Sequence, residues 1–212
     1  MSYMIICDFD GTITKEDSCD YIGKEILKDK YNEFLDLYNN KEIDAKTLTQ
    51  KIFEKMNVSK EEYISILKNI DIDPYFKNFV EFVRQKAFEF YILSDGFDLN
   101  IETILHNNNI DGLHIFANQI EFEGKNIKAD FPNYNYTCEN CGNCKAGLID
   151  ILNEENKKII YIGDSTSDFC ASKKGSIIFA KDRLAHKLDE EHTKYIKYQN
   201  FDDIIKYLKN NI

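Results

Sequence analysis

Three short apolar runs each stop on a cluster of acidic and hydroxyl residues, and this constrains the fold more than any other feature of the chain. Met4-Ile5-Ile6-Cys7 runs into Asp8-Phe9-Asp10-Gly11-Thr12. Phe88 to Leu93 stops at Ser94-Asp95-Gly96, and Ile159 to Ile162 stops at Gly163-Asp164-Ser165-Thr166-Ser167-Asp168. Apolar runs of this length, closed by Gly and Asp, read as buried strands ending in loops. A fourth short strand is expected at Ile177 to Ala180. Between the runs lie stretches with helical spacing, such as Phe76, Phe79, Val80 and Val83, or Phe201, Ile204, Ile205 and Leu208. Asp73-Pro74 predicts a helix start, with Asp as N-cap and Pro in the first turn. Ile120, Phe122 and Ile127 alternate with polar residues, predicting a hairpin over 115–129 that turns at Gly124. Strands alternating with helices predict an α/β protein whose parallel sheet is covered on both faces.

Residues 17–72 break that alternation. They contain no proline, one glycine (Gly23) and apolar residues at helical spacing: Ile26, Leu27, Phe34, Leu35 and Tyr38, then Leu48, Ile52, Phe53 and Met56. Ser59 followed by Glu62 is a capping-box pair opening a further helix through Leu67. The reading is a core made of 1–16 and 73–212, with a small helical bundle at 17–72 inserted after the first strand.

Composition excludes several classes. The chain of 212 residues is 43% hydrophobic and 30% charged, as in an ordinary globular protein with a sizeable core. A net charge of −10 with only two arginines, Arg84 and Arg183, leaves no basic footprint for nucleic acid. No apolar run approaches the ~20 residues that span a bilayer, so no membrane partner is expected. The N-terminus has no basic segment followed by a long apolar one, which predicts a cytoplasmic protein whose six cysteines are reduced thiols or metal ligands.

In open parallel sheets the ligand crevice lies beyond the carboxyl ends of the strands, so the three polar clusters are predicted to converge on one site. On an extended chain Asp8 and Asp10 point the same way, roughly 6.6 Å apart at about 3.3 Å rise per residue. Two carboxylates aimed into one crevice suit a nucleophile and a general acid and base. Their mutual repulsion calls for a cation, and Asp164 and Asp168 add carboxylate nearby. Mg²⁺ fits best, because it accepts few protein ligands together with waters and phosphate. Thr12 and Ser94, with backbone N–H groups near Asp95 and Gly96, are candidate phosphate donors. Lys145 supplies the positive charge that a transferring phosphoryl group requires.

Asp8-Phe9-Asp10-Gly11-Thr12, Ser94, Lys145 and Gly163-Asp164-x3-Asp168, in this order, resemble the four motifs of the haloacid dehalogenase superfamily of phosphatases. The resemblance covers nearly the whole chain. It implies a Rossmann-like core with a helical cap after the first motif, Asp8 as nucleophile forming an aspartyl-phosphate, and Asp10 as general acid then base. It further implies Mg²⁺ on Asp8, the Asp10 backbone carbonyl and Asp164, with Asp168 a secondary ligand. Phosphate would bind Ser94 and Lys145, and Thr12 would support the first motif.

The helical insertion is similar to that of the phosphoserine phosphatase group. Ser94-Asp95-Gly96-Phe97-Asp98, Cys141-Gly142-x-Cys144-Lys145 and the Gly163 to Asp168 loop look like the branch acting on the methionine-salvage enol-phosphate. Phosphocholine and phosphoethanolamine phosphatases lie near it. Phosphoserine phosphatases use a cap arginine, which 17–72 lacks. Asp17 sits where those enzymes place an acidic substrate contact, though an N-cap for the first helix of the insertion is the simpler expectation; Asp20 is similarly ambiguous. The competing class is a phospho-accepting signalling receiver. Against it, Asp8 ends the first strand and a helical insertion follows directly, as suits an enzyme that shields its substrate from water.

Cys138, Cys141 and Cys144 form a cluster three thiols strong. Zn²⁺ there would need a fourth ligand from His114, an Asp or water, and structural thiols shaping the loop before Lys145 are the simpler expectation. Cys7, Cys19 and Cys170 read as packing residues.

Overall fold

A computed structural model describes residues 3–135 and 142–212. Its strands are β1 (Tyr3–Cys7), β2 (Glu89–Phe97), β3 (His114–Glu123), β4 (Asn126–Asp130), β5 (Lys158–Gly163), β6 (Ile177–Ala180) and β7 (Ile196–Lys197). They form one sheet in the order β4-β3-β2-β1-β5-β6-β7. All neighbours are parallel except β3 and β4, the predicted hairpin, which places an antiparallel strand on one edge. The two-residue β7 at the other edge has no signature in the sequence pattern.

Alternation along the strands sorts side chains into two layers. Ile5, Cys7, Phe90, Ile92, Ile160, Ile162 and Phe179 join one buried cluster, while Met4, Ile6, Leu93, Ile159, Tyr161, Ile178 and Ala180 join the other. The first face is covered by α5 (Phe76–Gln85), α6 (Asp98–Asn107) and α10 (Phe201–Asn211). The second is covered by α7 (Lys145–Leu152), α8 (Phe169–Ser172) and α9 (Asp182–Glu190). With both faces buried the central strands are continuously apolar, as the sequence shows.

Helix α5 corrects one expectation. It begins at Phe76, with no side-chain cap, rather than at Pro74. The Asp73 carboxylate is drawn off by two amides: Oδ1 accepts from Tyr75 (2.8 Å) and Oδ2 from Phe201 (3.2 Å) at the start of α10. Asp73 therefore ties two helix starts together instead of capping one.

Between β1 and β2 the chain forms α1 (Ser18–Leu27), α2 (Asp29–Asn39), α3 (Ala45–Lys55) and α4 (Lys60–Leu67). The Ser59/Glu62 capping box is present, and the Asp17 carboxylate caps α1 by accepting from the Cys19 and Asp20 amides. The chain enters and leaves this insertion side by side: Thr14 bridges Ile72 in antiparallel fashion, Lys15 N–H donates to Asp71 O, and Asp73 N–H donates to Ile13 O. The insertion packs on the sheet side through Phe53 against Phe97 and Tyr63 against Phe122. Among the described residues no helix is long and apolar enough to cross a membrane.

The first face is anchored by Phe76, Phe79, Phe90 and Phe201, with Phe201 ring centroids 4.9 Å from both Phe76 and Phe79. Phe201→Ala is expected to cost about 3–5 kcal/mol of unfolding free energy, because a large buried ring is lost and its neighbours close in only partly. Denaturant titration checks this; a loss below about 1 kcal/mol would show that the cluster does not bear on stability.

Candidate active site

Strand β1 is central, flanked by β2 and β5, and the ends of all three open on the same crevice. Asp8 follows β1 directly, Ser94 to Gly96 lie near the end of β2, and Asp164 follows β5. Lys145 opens α7 and reaches back into the crevice. Its ammonium donates to Asp8 Oδ1 at 2.5 Å and to Asp168 Oδ1 at 2.7 Å. All three groups are buried, Lys145 at 2% exposure. Burial by itself would lower the Lys145 ammonium, but Asp168 and Asp8 outweigh it and hold the group above its usual range.

Asp168 is fixed from four sides. Besides Lys145, the Tyr161 hydroxyl donates to its Oδ1 (2.7 Å), and the Asp164 and Ser165 amides donate to its Oδ2 (3.1 Å each). Gly163 is required beside it, since a Cβ there would sit 2.6 Å from Asp168 Oδ2.

Asp8, Asp164 and Asp168 each offer a carboxylate oxygen, all within 4.8 Å of one another. One ammonium does not balance three carboxylates. Burial lifts Asp8 above the usual carboxylate range, and the nearby Asp168 adds to the effect against the pull of Lys145. Asp164 is pushed up to about 6 by burial and Asp168, although the Thr12 hydroxyl donates to its Oδ1 at 2.7 Å. A donor set of hard, electron-rich oxygens that lacks positive charge fits a divalent cation such as Mg²⁺.

Asp10 stands on the other side of the crevice, facing the insertion. Its Oδ1 accepts from the Ser18 amide at 2.8 Å. Its Oδ2 abuts Gly96, where a Cβ would come within 2.5 Å. Burial, then the neighbouring Asp17 carboxylate, raises its pKa to about 7. A carboxyl poised there can carry a proton at neutral pH and give it up. Gly11, at φ +76°, turns the chain directly after Asp10, where a Cβ would meet Asp164 Oδ2 at 2.6 Å.

The structure thus brings Asp8, Asp10, Thr12, Ser94, Asp95, Gly96, Lys145, Asp164 and Asp168 around one crevice. The Ser94 Oγ accepts from Gly96 N–H (2.9 Å), and Asp95 Oδ1 accepts from Asn143 N–H (2.8 Å). Asp17 caps α1, and Asp20 accepts a hydrogen bond from Tyr31 and pairs with Lys24. Cys138 and Cys141 lie outside the described residues; of that cluster only Cys144 is described, half-buried and within 3.7 Å of Asn135 Nδ2. Cys7 is buried and Cys19 half-buried, but Cys170 is exposed, so it is not a packing residue. Sequence reasoning passed over Tyr161, hidden as one more apolar letter in β5, and Ser18, Asn100 and Asn143, which have no spacing signal.

A carboxylate at the end of the first strand, held by a buried lysine and followed two residues later by a second buried carboxyl, is an arrangement that can serve phosphoryl transfer. The comparisons with known proteins agree. The pattern of the family described as "Putative Phosphatase" matches residues 3–199, and the chain belongs to that family. A 2-hydroxy-3-keto-5-methylthiopentenyl-1-phosphate phosphatase of Bacillus velezensis is 32% identical over 211 residues, covering 98% of this chain and 90% of its own. The fold is that of a haloacid dehalogenase hydrolase from Salmonella enterica serovar Typhi (TM-score 0.78, 18% identity, 99% of this chain and 72% of that one). It is also similar to that of a substrate-bound phosphoserine phosphatase (TM-score 0.75, 16% identity, 98% of each chain). The protein is a phosphoric monoester hydrolase whose fold is that of the haloacid dehalogenase hydrolases.

Lys145→Met is expected to abolish activity and to destabilise the fold by about 3–5 kcal/mol, since it leaves Asp8 and Asp168 buried without their cation. Denaturant titration at constant pH checks the second effect, and unchanged stability would contradict the ion-pair reading.

Proposed function

We propose that the enzyme hydrolyses the methionine-salvage ester 2-hydroxy-3-keto-5-methylthiopentenyl 1-phosphate in two steps at Asp8. The observation that carries the two-step reading is the pairing of a lysine-held Asp8 with a separate carboxyl, Asp10, pushed up to about 7. The substrate reading is supported by the name of the Bacillus velezensis relative, which matches nearly end to end. It is supported also by the insertion, where acidic residues outnumber lysines and arginine is absent. Such a surface does not favour a leaving group that carries its own carboxylate. We assign residues 17–72 as the cap over the crevice and 1–16 with 73–212 as the catalytic core.

Asp8 attacks phosphorus and forms an aspartyl-phosphate. Lys145 neutralises charge on the nucleophile and then on the transferring group. Ser94 and the amides of the Asp95-Gly96 turn orient the phosphoryl oxygens, and Thr12 keeps Asp164 in place through its hydroxyl. Asp10 protonates the departing oxygen and afterwards takes a proton from the water that opens the acyl-phosphate. Asp168 holds Lys145 and the Asp164 loop. Asp8, Asp164 and the Asp10 carbonyl, with Asp168 behind them, would hold Mg²⁺, which supplies charge neutralisation for the phosphoryl oxygens. We place the enzyme in the cytoplasm.

Asp8→Asn should reduce turnover to a trace while leaving the fold intact; substantial residual activity would exclude the covalent route. Chelation should stop the reaction and Mg²⁺ restore it, with Ca²⁺ a poor substitute because its larger coordination sphere misplaces the attacking carboxylate. Metal-independent turnover would remove Asp164 from the ligand set. Steady-state comparison of the methionine-salvage ester, phosphocholine and phosphoserine should rank phosphoserine last in kcat/KM. Phosphoserine ranking first would overturn the substrate and leave the phosphatase class standing.

A further inference from the structure

A line of buried polar side chains runs from the insertion to the proposed general acid. The Tyr63 hydroxyl, on α4, donates to Asn100 Oδ1 at 3.0 Å. Asn100, in the first turn of α6, donates from Nδ2 to Ser18 Oγ at 3.1 Å. Ser18 opens α1; its amide donates to Asp10 Oδ1 at 2.8 Å, and its hydroxyl is a second hydrogen-bond partner of the same carboxyl. Ser18 and Asn100 are fully buried and Tyr63 is 1% exposed.

Packing does not account for these polar atoms. The Tyr63 ring already packs edge-on against Phe122, with centroids 5.3 Å apart, a contact that phenylalanine would keep. Asn100 stands in a helix turn whose other buried positions are Ile101, Ile104 and Leu105, where an aliphatic residue would bury well. Burying an amide and two hydroxyls costs free energy unless each is partnered, and a satisfied chain of them fixes geometry more sharply than apolar contact does. The chain ends on the one carboxyl of the crevice whose orientation nothing on the core side fixes: Asp10 has Gly96 against its other oxygen, and no other donor is seen among the described residues.

We propose that Asn100, with Tyr63 and Ser18, is a positioning relay that aims the Asp10 carboxyl at the leaving-group oxygen and makes that aim depend on the seating of α4. Through Ser18 the relay sets the direction of the amide that Asp10 faces. Through Asn100 it references that direction to α6, which continues β2 beyond Ser94 to Gly96. Through Tyr63 it references it to the insertion. None of the three touches the reacting atoms. The inference rests on Asp10 as general acid, and the experiment separates the two claims.

The experiment compares kcat/KM on benzyl phosphate and p-nitrophenyl phosphate with Mg²⁺ present. This ratio reports the first irreversible step, which under the two-step reading is phosphoryl transfer to Asp8. A benzyl alkoxide needs a proton to leave, whereas nitrophenolate does not. General-acid assistance is worth about 10²–10⁴-fold, so a carboxyl held off line should lose part of it. Asn100→Leu and Tyr63→Phe are expected to lower kcat/KM on benzyl phosphate, Asn100→Leu by about tenfold or more, and to leave p-nitrophenyl phosphate within about twofold. Ser18→Ala, which keeps the amide, should show the same selectivity with a smaller loss. Equal losses on both substrates, or no loss on either, would reduce the relay to a structural staple and overturn the proposal. Should Asn100→Leu fail to fold, Tyr63→Phe decides alone, because its ring packing is preserved. Asp10→Asn is the control. If it shows the leaving-group selectivity and the relay variants do not, the relay falls and the general acid stands. If Asp10→Asn itself shows none, the general-acid assignment falls with it.

Discussion

The ammonium of Lys145 is the interaction on which the rest of the site depends. It bridges Asp8, from the end of β1, and Asp168, from the loop after β5, and among the described residues it is the cation paired with both carboxylates. A buried pair of carboxylates would protonate or push the strand ends apart; one lysine between them holds two loops from neighbouring strands in register. The cost is met by geometry: Asp168 also takes the Tyr161 hydroxyl and two amides, so its lone pairs are used and the lysine cannot drift. Among the described residues Asp8 keeps one oxygen without such a network, which suits the nucleophile role proposed for it.

The sheet makes this arrangement available. Placing β1 between β2 and β5 puts three polar strand ends side by side, and burial of both faces makes the strands between them rigid and apolar. The insertion leaves and rejoins the core through adjacent stretches near Thr14 and Ile72, so α1 begins beside Asp10, with the Ser18 amide on its carboxylate. Division of labour follows from position. In the proposed mechanism the core side handles the phosphoryl group through Asp8, Lys145 and Ser94, and the insertion side reaches the leaving group and its proton.

Those parts legible in the sequence are the ones written in local pattern. Alternating strands, the Asp-x-Asp at the first strand end, the Ser59 capping box and the hairpin at Gly124 all follow from residues close in the chain, and each appears where its pattern put it. What escaped was set by distant partners. Asp73 looked like an N-cap, but the Phe201 amide of α10 competes for its carboxylate, and α5 starts later. Tyr161 read as one apolar residue among isoleucines because its hydroxyl's partner, Asp168, is defined only by the turn after β5. Asn100 carried no signal, since its partners lie 82 and 37 residues away in α1 and α4. Cys170 shares a short helix with buried Ala171 and Ser172 yet faces solvent, which a four-residue helix is too short to reveal by periodicity.

Phosphorylation of Asp8 is the claim on which nucleophile, general acid and lysine roles all hang. Rapid quenching during turnover with Mg²⁺, followed by borohydride reduction, converts an aspartyl-phosphate to homoserine, and peptide mass spectrometry locates it. The account predicts homoserine at position 8 and at no other aspartate. Homoserine at Asp10 or Asp164, or none from an enzyme shown to be turning over, would contradict it.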